Sequence, residues 1–441
     1  MTRQHPSLLA SIGYSSGNFG KNLMAGSMDI LFLFLATELL GLSPFVAGAT
    51  LLCSMVLDAV LDPLVGVILD RAKGILGRPV SLLLIGAPLT GVTFSAVFHL
   101  PILEVNTPWL VAVALLAFRT AYSIIDLPHN ILLTTAIPAG EERARVATYR
   151  FVFSTLATLV LALALKPMVE NGRSGSQLSG DTLATLSIGM GLAAVFVVSV
   201  SGLSVARSGS SSIKPQSGQP YKLRQAIRAI LGSAQCTRVI AAGALCAFGL
   251  PLFSKSLLFV ADRVFGDVGD ASNLLMAMVA GQFIGLVGWI ALTKRYSTAI
   301  LLRSAYWLAG GALLIAGLAA AWSYPAMIAA TVLVGIGAAG SYALIWALLS
   351  DAVDHLQEET EMAAGGTVFG IAVLLQKASI GMSGLFLGAG LQLADAIDFL
   401  DTASVVVFCS AFFPAAALAG GAILLHREET TTNSVLTTAS N

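Results

Sequence analysis

Stretches of apolar residues long enough to cross a lipid bilayer recur in this chain from about residue 10 to about residue 426. Each crossing of a hydrocarbon core takes roughly 20 residues at the helical rise. Twelve such stretches fit the sequence, near 10–40, 43–70, 79–100, 107–137, 147–168, 182–206, 236–263, 270–293, 298–322, 325–351, 366–393 and 401–426. Inside lipid every backbone donor and acceptor has to be bonded within a helix or a closed barrel. Barrel strands would alternate polar and apolar residues over about ten positions, whereas runs such as LATLVLALAL and ALLIAGLAAA are apolar on every face. The chain is therefore expected to be an all-α membrane protein with twelve transmembrane helices. Charged residues make up 11% of its 441 positions, against about a quarter in a soluble domain, which excludes a water-soluble fold.

Twelve crossings put both termini on one face of the membrane, and loop charge selects the face. Loops with Arg71, Lys73 and Arg78, with Arg143 and Arg145, and with Lys294 and Arg295 alternate with loops near 101–106, 323–324 and 394–400 that hold no Lys or Arg. Arg173 is the main exception. The pattern places both termini in the cytoplasm of a bacterial-type inner membrane. The longest break, 207–235, mixes Ser, Gly and Pro with Lys214, Lys222, Arg224 and Arg228. It reads as a cytoplasmic linker whose short amphipathic helix, YKLRQAIRAIL, either lies on the anionic inner leaflet or is solvated. The linker separates an N-terminal six-helix bundle, 1–206, from a C-terminal one, 236–426, and the polar tail 427–441 is expected to be disordered. The N-terminal segment reads as an uncleaved first helix. Cys53, Cys236, Cys246 and Cys409 lack metal-ligand spacing and read as packing residues, so no cofactor is expected. With 24 basic and 24 acidic residues the net charge is zero, and no nucleic-acid partner is implied.

An ionisable side chain near the bilayer centre costs several kcal/mol unless it meets a partner or a wet cavity. The spans nevertheless enclose Lys21, Asp29, Asp58, Asp62, Arg119, Asp126, Arg150, Lys166, Lys255 and Lys377. In LDAVLDPLVG, Asp58 and Asp62 are four apart, so both carboxylates leave one helix face a single turn apart. Such a pair suits a hard monovalent cation or a shared proton; the plainer alternative is that each acid bonds a basic residue on another helix. Asp126 precedes Pro128, and Arg119, Tyr122, Ser123 and Asp126 form one polar face. That face either lines a solute cavity or closes an internal bridge from Arg119 to Asp126. Lys377 is a lone cation that organises the carboxylates or serves as their counter-ion. Asn22 and Asp29 share a face of the first span, and Lys21 snorkels or pairs. Asp351 and Asp354 make the connection after the tenth span acidic, which suggests a cytoplasmic gate against Arg71, Arg78, Arg143 or Arg145, with Asp70 beside Arg71 at a helix end; solvated loop charges are the alternative.

The segments GNFGKN, LDAVLDPLVGVILDRAKGILGRP, AYSIIDLP, TYRF, SDAVDH and QK resemble the glycoside-pentoside-hexuronide cation symporters, the melibiose carrier-like family within the major facilitator superfamily. The resemblance covers nearly the whole chain and is most specific at the second span. It implies the major facilitator fold, two six-helix bundles around a cavity that opens alternately to either side. It further implies cation binding by Asp58, Asp62 and Ser123, a coupling role for Lys377, and solute contacts by Asp126, Tyr122 and Arg150, with Tyr342 on the second-half wall. Asn22 replaces an aspartate of the family pattern and Asn130 a tryptophan, removing a carboxylate and a stacking ring suited to pyranosides. Asp29 and Lys255 are extra charges; Lys255 either receives a solute carboxylate or offsets Asp29.

The expected activity is secondary active transport, symport of a sugar or related small polar solute with sodium or a proton, by a monomer in the bilayer. The alternatives are symport of an organic anion or lipid-like solute, and a non-transporting membrane scaffold on the same fold. No H-E-x-x-H is present, and His99, His129 and His355 are scattered without an evident relay, so an enzyme is not expected.

Overall fold

The computed structural model describes residues 7–71, 79–137, 141–172, 175–206, 223–362, 364–397 and 401–439, with the side chains at 63–71, 134–135, 141, 144, 169–172, 175–178 and 427–439 outside the description. The first half holds α1 (Leu8–Phe34), α2 (Pro44–Arg71), α3 (Pro79–His99), α4 (Pro108–Thr135), α5 (Glu141–Leu165) and α6 (Gly180–Ser204). A short helix, α7 (Leu223–Gly232), precedes the second half. That half holds α8 (Ala234–Arg263), α9 (Asp270–Leu292), α10 (Thr298–Ala320), α11 (Tyr324–Thr360), α12 (Gly365–Ala396) and α13 (Thr402–Ala439). Among the described residues twelve helices, all but α7, are long and apolar enough to cross a membrane.

Local chemistry sets the ends. Ser179, Ser233, Ser297 and Ser323 cap α6, α8, α10 and α11 by accepting backbone N–H groups, which satisfies donors that a helix start leaves open. At the far end of α1 a π-turn, Leu35–Leu39, and Gly41 at φ 65° reverse the chain into α2. A positive φ is open to glycine without a Cβ clash.

Four details depart from the sequence reading. The acidic run expected as a loop continues α11 to Thr360, because Ala, Leu, Gln and Glu are good helix formers whose charges face solvent here. The backbone of α13 stays helical to Ala439 over the tail expected to be disordered; extending an anchored helix avoids the cost of nucleating one. A two-stranded hairpin, β1 (Val169–Gly172) and β2 (Gly175–Leu178), lies between α5 and α6, in a run too short and polar to show a strand period. Lys166 is exposed in the short 3-10 turn that follows the last residue of α5, not within that helix.

Within the first half α1 packs on α5 and α6, α3 on α4 and α6, and α2 on α4; within the second, α10 packs on α11 and α13, α8 on α12 and α13, and α9 on α11. The halves meet through α2 on α12, α5 on α9 and α1 on α8. The α2–α12 seam is built from small residues, as close helix approach in lipid requires. A Cβ on Gly48 would fall 2.6 Å from the Gly384 carbonyl oxygen, and one on Gly388 would overlap the Pro44 carbonyl. Ser272 of α9 donates to the Ala162 carbonyl at 2.6 Å, Phe34 packs on Phe259 at 5.0 Å, and Arg263 pairs with Glu38 at 2.8 Å. These contacts all sit toward the membrane face where α1 and α8 end and α2 and α9 begin, so that end is closed.

Gly388→Val should overpack this seam by about 1–3 kcal/mol and shift the population toward opening at the Glu38 end by about 5- to 150-fold. Maleimide labelling of a Phe34→Cys reporter on a Cys53→Ser background reads that opening directly; unchanged labelling would show that the seam does not hold the end shut.

Candidate ion and solute site

The two acids of the second span face α12, and Lys377 inserts its ammonium between them. Lys377 Nζ is 2.7 Å from Asp58 Oδ2 and 2.5 Å from Asp62 Oδ2. Ser123 of α4 donates to the remaining Asp58 oxygen at 2.6 Å. Asp58 and Ser123 are buried, so one ammonium is left to neutralise two carboxylates in a low-dielectric setting. Asp62 Oδ1 is buried and has no hydrogen-bond partner among the described residues. A buried acceptor without a donor costs about 1–3 kcal/mol, more for a charged group, and a small cation or a proton on this oxygen would relieve it. The four residues expected to bind and couple the cation thus meet at one point.

A second cluster lies between α1, α4 and α5. Lys21, buried on α1, pairs with Asp126 Oδ1 at 2.5 Å. The other Asp126 oxygen accepts from Asn130 Nδ2 at 3.3 Å. Arg150 donates Nη2–H to Asn130 Oδ1 at 2.6 Å and Nε–H to Asn18 Oδ1 at 2.8 Å. Asn18 and Asn22 both donate to Ser154 Oγ, at 3.2 and 2.9 Å. The asparagine that breaks the family pattern at position 130 therefore links Asp126 to Arg150 through its amide. Half-buried Arg150 and Asp126 at the rim of this network present donors and an acceptor suited to a hydroxylated solute.

His129 braces the cluster from behind. Its ring stacks on Tyr14 at 4.6 Å with an interplanar angle of 11°. Ser201 spends its only hydroxyl proton on the Tyr14 carbonyl at 2.6 Å, so at 3.0 Å from Ser201 Oγ, and 3.2 Å from the same carbonyl, His129 Nε2 must be the donor. In the neutral ring that leaves Nδ1 as the acceptor, and Nδ1 faces Lys21 Nζ at 3.5 Å.

The polar face expected on α4 divides among three partners and does not close on itself. Arg119 reaches back to Asp29 of α1 at 2.6 Å, so the alternative bridge to Asp126 is not formed. Ser123 goes to Asp58, and Tyr122 is half-buried against Phe118 at 5.9 Å. Lys255 on α8 is buried and hydrogen-bonds Ser383 of α12 at 3.4 Å; among the described residues it forms no ion pair with Asp29. Tyr342 is half-buried against the second-half core.

Of the expected gate residues, only Arg143, Arg145, Asp351 and Asp354 have described side chains. The side chains of Asp70, Arg71 and Arg78 lie outside the described residues. Arg143 donates to the Ile137 carbonyl at 3.0 Å and Arg145 lies 3.8 Å from Glu142. Asp351 and Asp354 are exposed on the last turns of α11, and among the described residues neither enters an ion pair.

Sequence reasoning passed over Asn18, Ser154, His129, Ser201 and the Glu38–Arg263 pair. Asn18 stands four before Asn22 and Ser154 four after Arg150, a spacing that one-face counting would have caught. Ser201 and Arg263 lie on other helices, and nothing in their own segments marks them.

The family described as MFS/sugar transport protein matches residues 13–429 of this chain. An uncharacterized symporter of Bacillus subtilis, YnaJ, is 27% identical over 42% of this chain, a match spanning only 40% of that relative. A glucuronide carrier protein homolog of Escherichia coli is 25% identical, with 85% of this chain and 81% of the relative covered. Among solved structures, the nucleoside transporter NupG superposes with a TM-score of 0.61 at 13% identity, over 95% of this chain and 99% of that one; at this identity the likeness concerns the fold.

Breaking a buried pair leaves an uncompensated charge, at a cost of about 3–5 kcal/mol. Asp126→Asn should therefore lower stability by about that much, and Lys21→Gln added to it should recover most of the loss. Unfolding midpoints of the two single variants and the double variant measure the coupling; additive losses would mean that the 2.5 Å contact does not carry stability.

Proposed function

The chain belongs to the MFS/sugar transport protein family, and from that premise we propose that it is a secondary active transporter, not an enzyme. It carries a small polar solute together with a monovalent cation, sodium or a proton, by alternating access across a bacterial inner membrane with both termini in the cytoplasm. The observation that carries the reading is the ammonium of Lys377 held between Asp58 and Asp62, with Asp62 Oδ1 buried and unbonded among the described residues. Lys377 stands where a cation would stand. A cation arriving at the two carboxylates and Ser123 displaces it, and the α2–α12 contact changes with occupancy. With cytoplasmic termini, the closed Glu38–Arg263 end faces outward and the Arg150 network is reached from inside. Arg150, Asp126, Asn22, Tyr122 and Tyr342 are the solute contacts in this reading.

A count of charge favours an anionic solute as the second reading. The clusters hold four acids, Asp29, Asp58, Asp62 and Asp126, and five bases, Lys21, Arg119, Arg150, Lys255 and Lys377. Arg150 and Lys255 have neutral hydrogen-bond partners among the described residues. A bound cation adds to that positive surplus, and a carboxylate on a hydroxylated solute offsets it. The glucuronide carrier homolog among the relatives agrees with such a solute.

Sodium at about a hundred times its Kd should stabilise the purified protein by about 2.7 kcal/mol, and Asp58→Asn with Asp62→Asn should abolish the effect. Lys377→Met at mildly alkaline pH should raise sodium affinity while ending gradient-driven accumulation; reduced affinity would mean that Lys377 assembles the site and does not compete for it. In vesicles, uptake of a methyl glucuronide above that of the matching neutral glucoside supports the anionic reading, and the reverse order removes it.

A further inference from the structure

Helix α7 carries an apolar stripe that the bundle does not use. Only Ser233 separates it from α8. Ala226 and Ile230 are buried, at 0% and 3% exposure, and seat it on the second half, where Thr237 donates to the Ile230 carbonyl at 3.0 Å. Around the helix from this seat, at about 100° per residue, come Leu223, Ile227 and Leu231, four apart and 64%, 38% and 70% exposed. Beyond them on the same side are Arg224 and Arg228, also exposed, and among the described residues neither enters an ion pair. The order is seat, apolar stripe, basic edge.

That order fits a helix lying in a membrane surface. A helix joined by one residue to a membrane-crossing segment sits at the boundary, where exposed leucines face the glycerol and upper acyl region and arginines reach the phosphates. Each basic residue held near an anionic leaflet contributes about fivefold to partition, and a guanidinium matches a phosphate by paired hydrogen bonds. A surface meant for water would gain nothing from three large apolar groups in a row. We propose that α7 is an anchor for anionic phospholipid, its Leu223, Ile227 and Leu231 stripe embedded in the interface and Arg224 and Arg228 bound to lipid phosphates. This holds the linker-side end of the second half against the bilayer, and it depends on neither the solute nor the coupling ion.

The test uses the full chain in vesicles. A nitroxide at Ile227→Cys, on a Cys53→Ser background, should collide with oxygen in preference to a water-soluble nickel chelate. The opposite preference, as for a surface awaiting a soluble acidic protein, overturns the proposal. Adding phosphatidylglycerol to phosphatidylcholine vesicles should raise the wild-type melting temperature. The rise should be lost in Arg224→Gln/Arg228→Gln, kept in Arg224→Lys/Arg228→Lys, and reduced by salt. All these residues are exposed, so the variants fold, and a Gln pair that keeps the full phosphatidylglycerol response also overturns the proposal.

Discussion

A charge inside a bilayer has to find a partner, and in this protein nearly every described intramembrane charge finds one on a different helix. Lys21 meets Asp126, Arg119 meets Asp29, and Lys377 meets Asp58 and Asp62. The first two pairings lie inside the N-terminal half and tie α1 to α4, which stiffens that half as a unit. The third crosses between halves. A buried ion pair adds little net stability over an apolar substitute, yet breaking one is costly. The geometry of the first half is therefore guarded by its charges, while the relation between halves depends on a site where one ammonium serves two carboxylates.

The architecture was legible because the bilayer imposes one simple period. Apolar length alone located all twelve crossings. What it misplaced were polar edges: α11 continues to Thr360 through residues that lipid does not select but helix propensity does. The Asp58–Asp62 pair was legible for a related reason, since a four-residue spacing has one meaning on a helix.

Partner choice was legible for Lys377, expected beside the two carboxylates, and not for the charges within the first half. The contact between Lys21 and Asp126 joins residues far apart in the chain, and the stack of Tyr14 on His129 does the same. The polar face of α4 looked like one surface, yet Arg119, Ser123 and Asp126 divide between two helices, the first and last turning to α1 and the middle one to α2. A helix wheel ranks directions but does not name neighbours. His129 was passed over because a lone histidine on an apolar segment carries no pattern; its tautomer follows only once the Ser201 hydroxyl and the Tyr14 carbonyl are placed around it.

In the proposed transport cycle, the register of α2 against α12 is what ion occupancy would act on. On α2, Pro44, Gly48, Leu51, Met55, Asp58 and Asp62 succeed one another at steps of three or four residues, and on α12 Lys377, Gly381, Gly384 and Gly388 do likewise. Each series is a single helix face. The glycines of α12 pack on Pro44, Gly48, Leu51 and Met55, and the same faces then carry the acids and the lysine. Close packing and electrostatic attraction are thus consecutive parts of one contact. A cation taking over the carboxylates, as proposed, would withdraw the attraction at one end and leave the packed end alone to resist separation. Coupling between a site and a global state needs only about 1–3 kcal/mol, within reach of a change in a partly buried ion pair. The small residues bring the halves into contact, and in the proposed cycle the charge at the foot of the seam would set when they part.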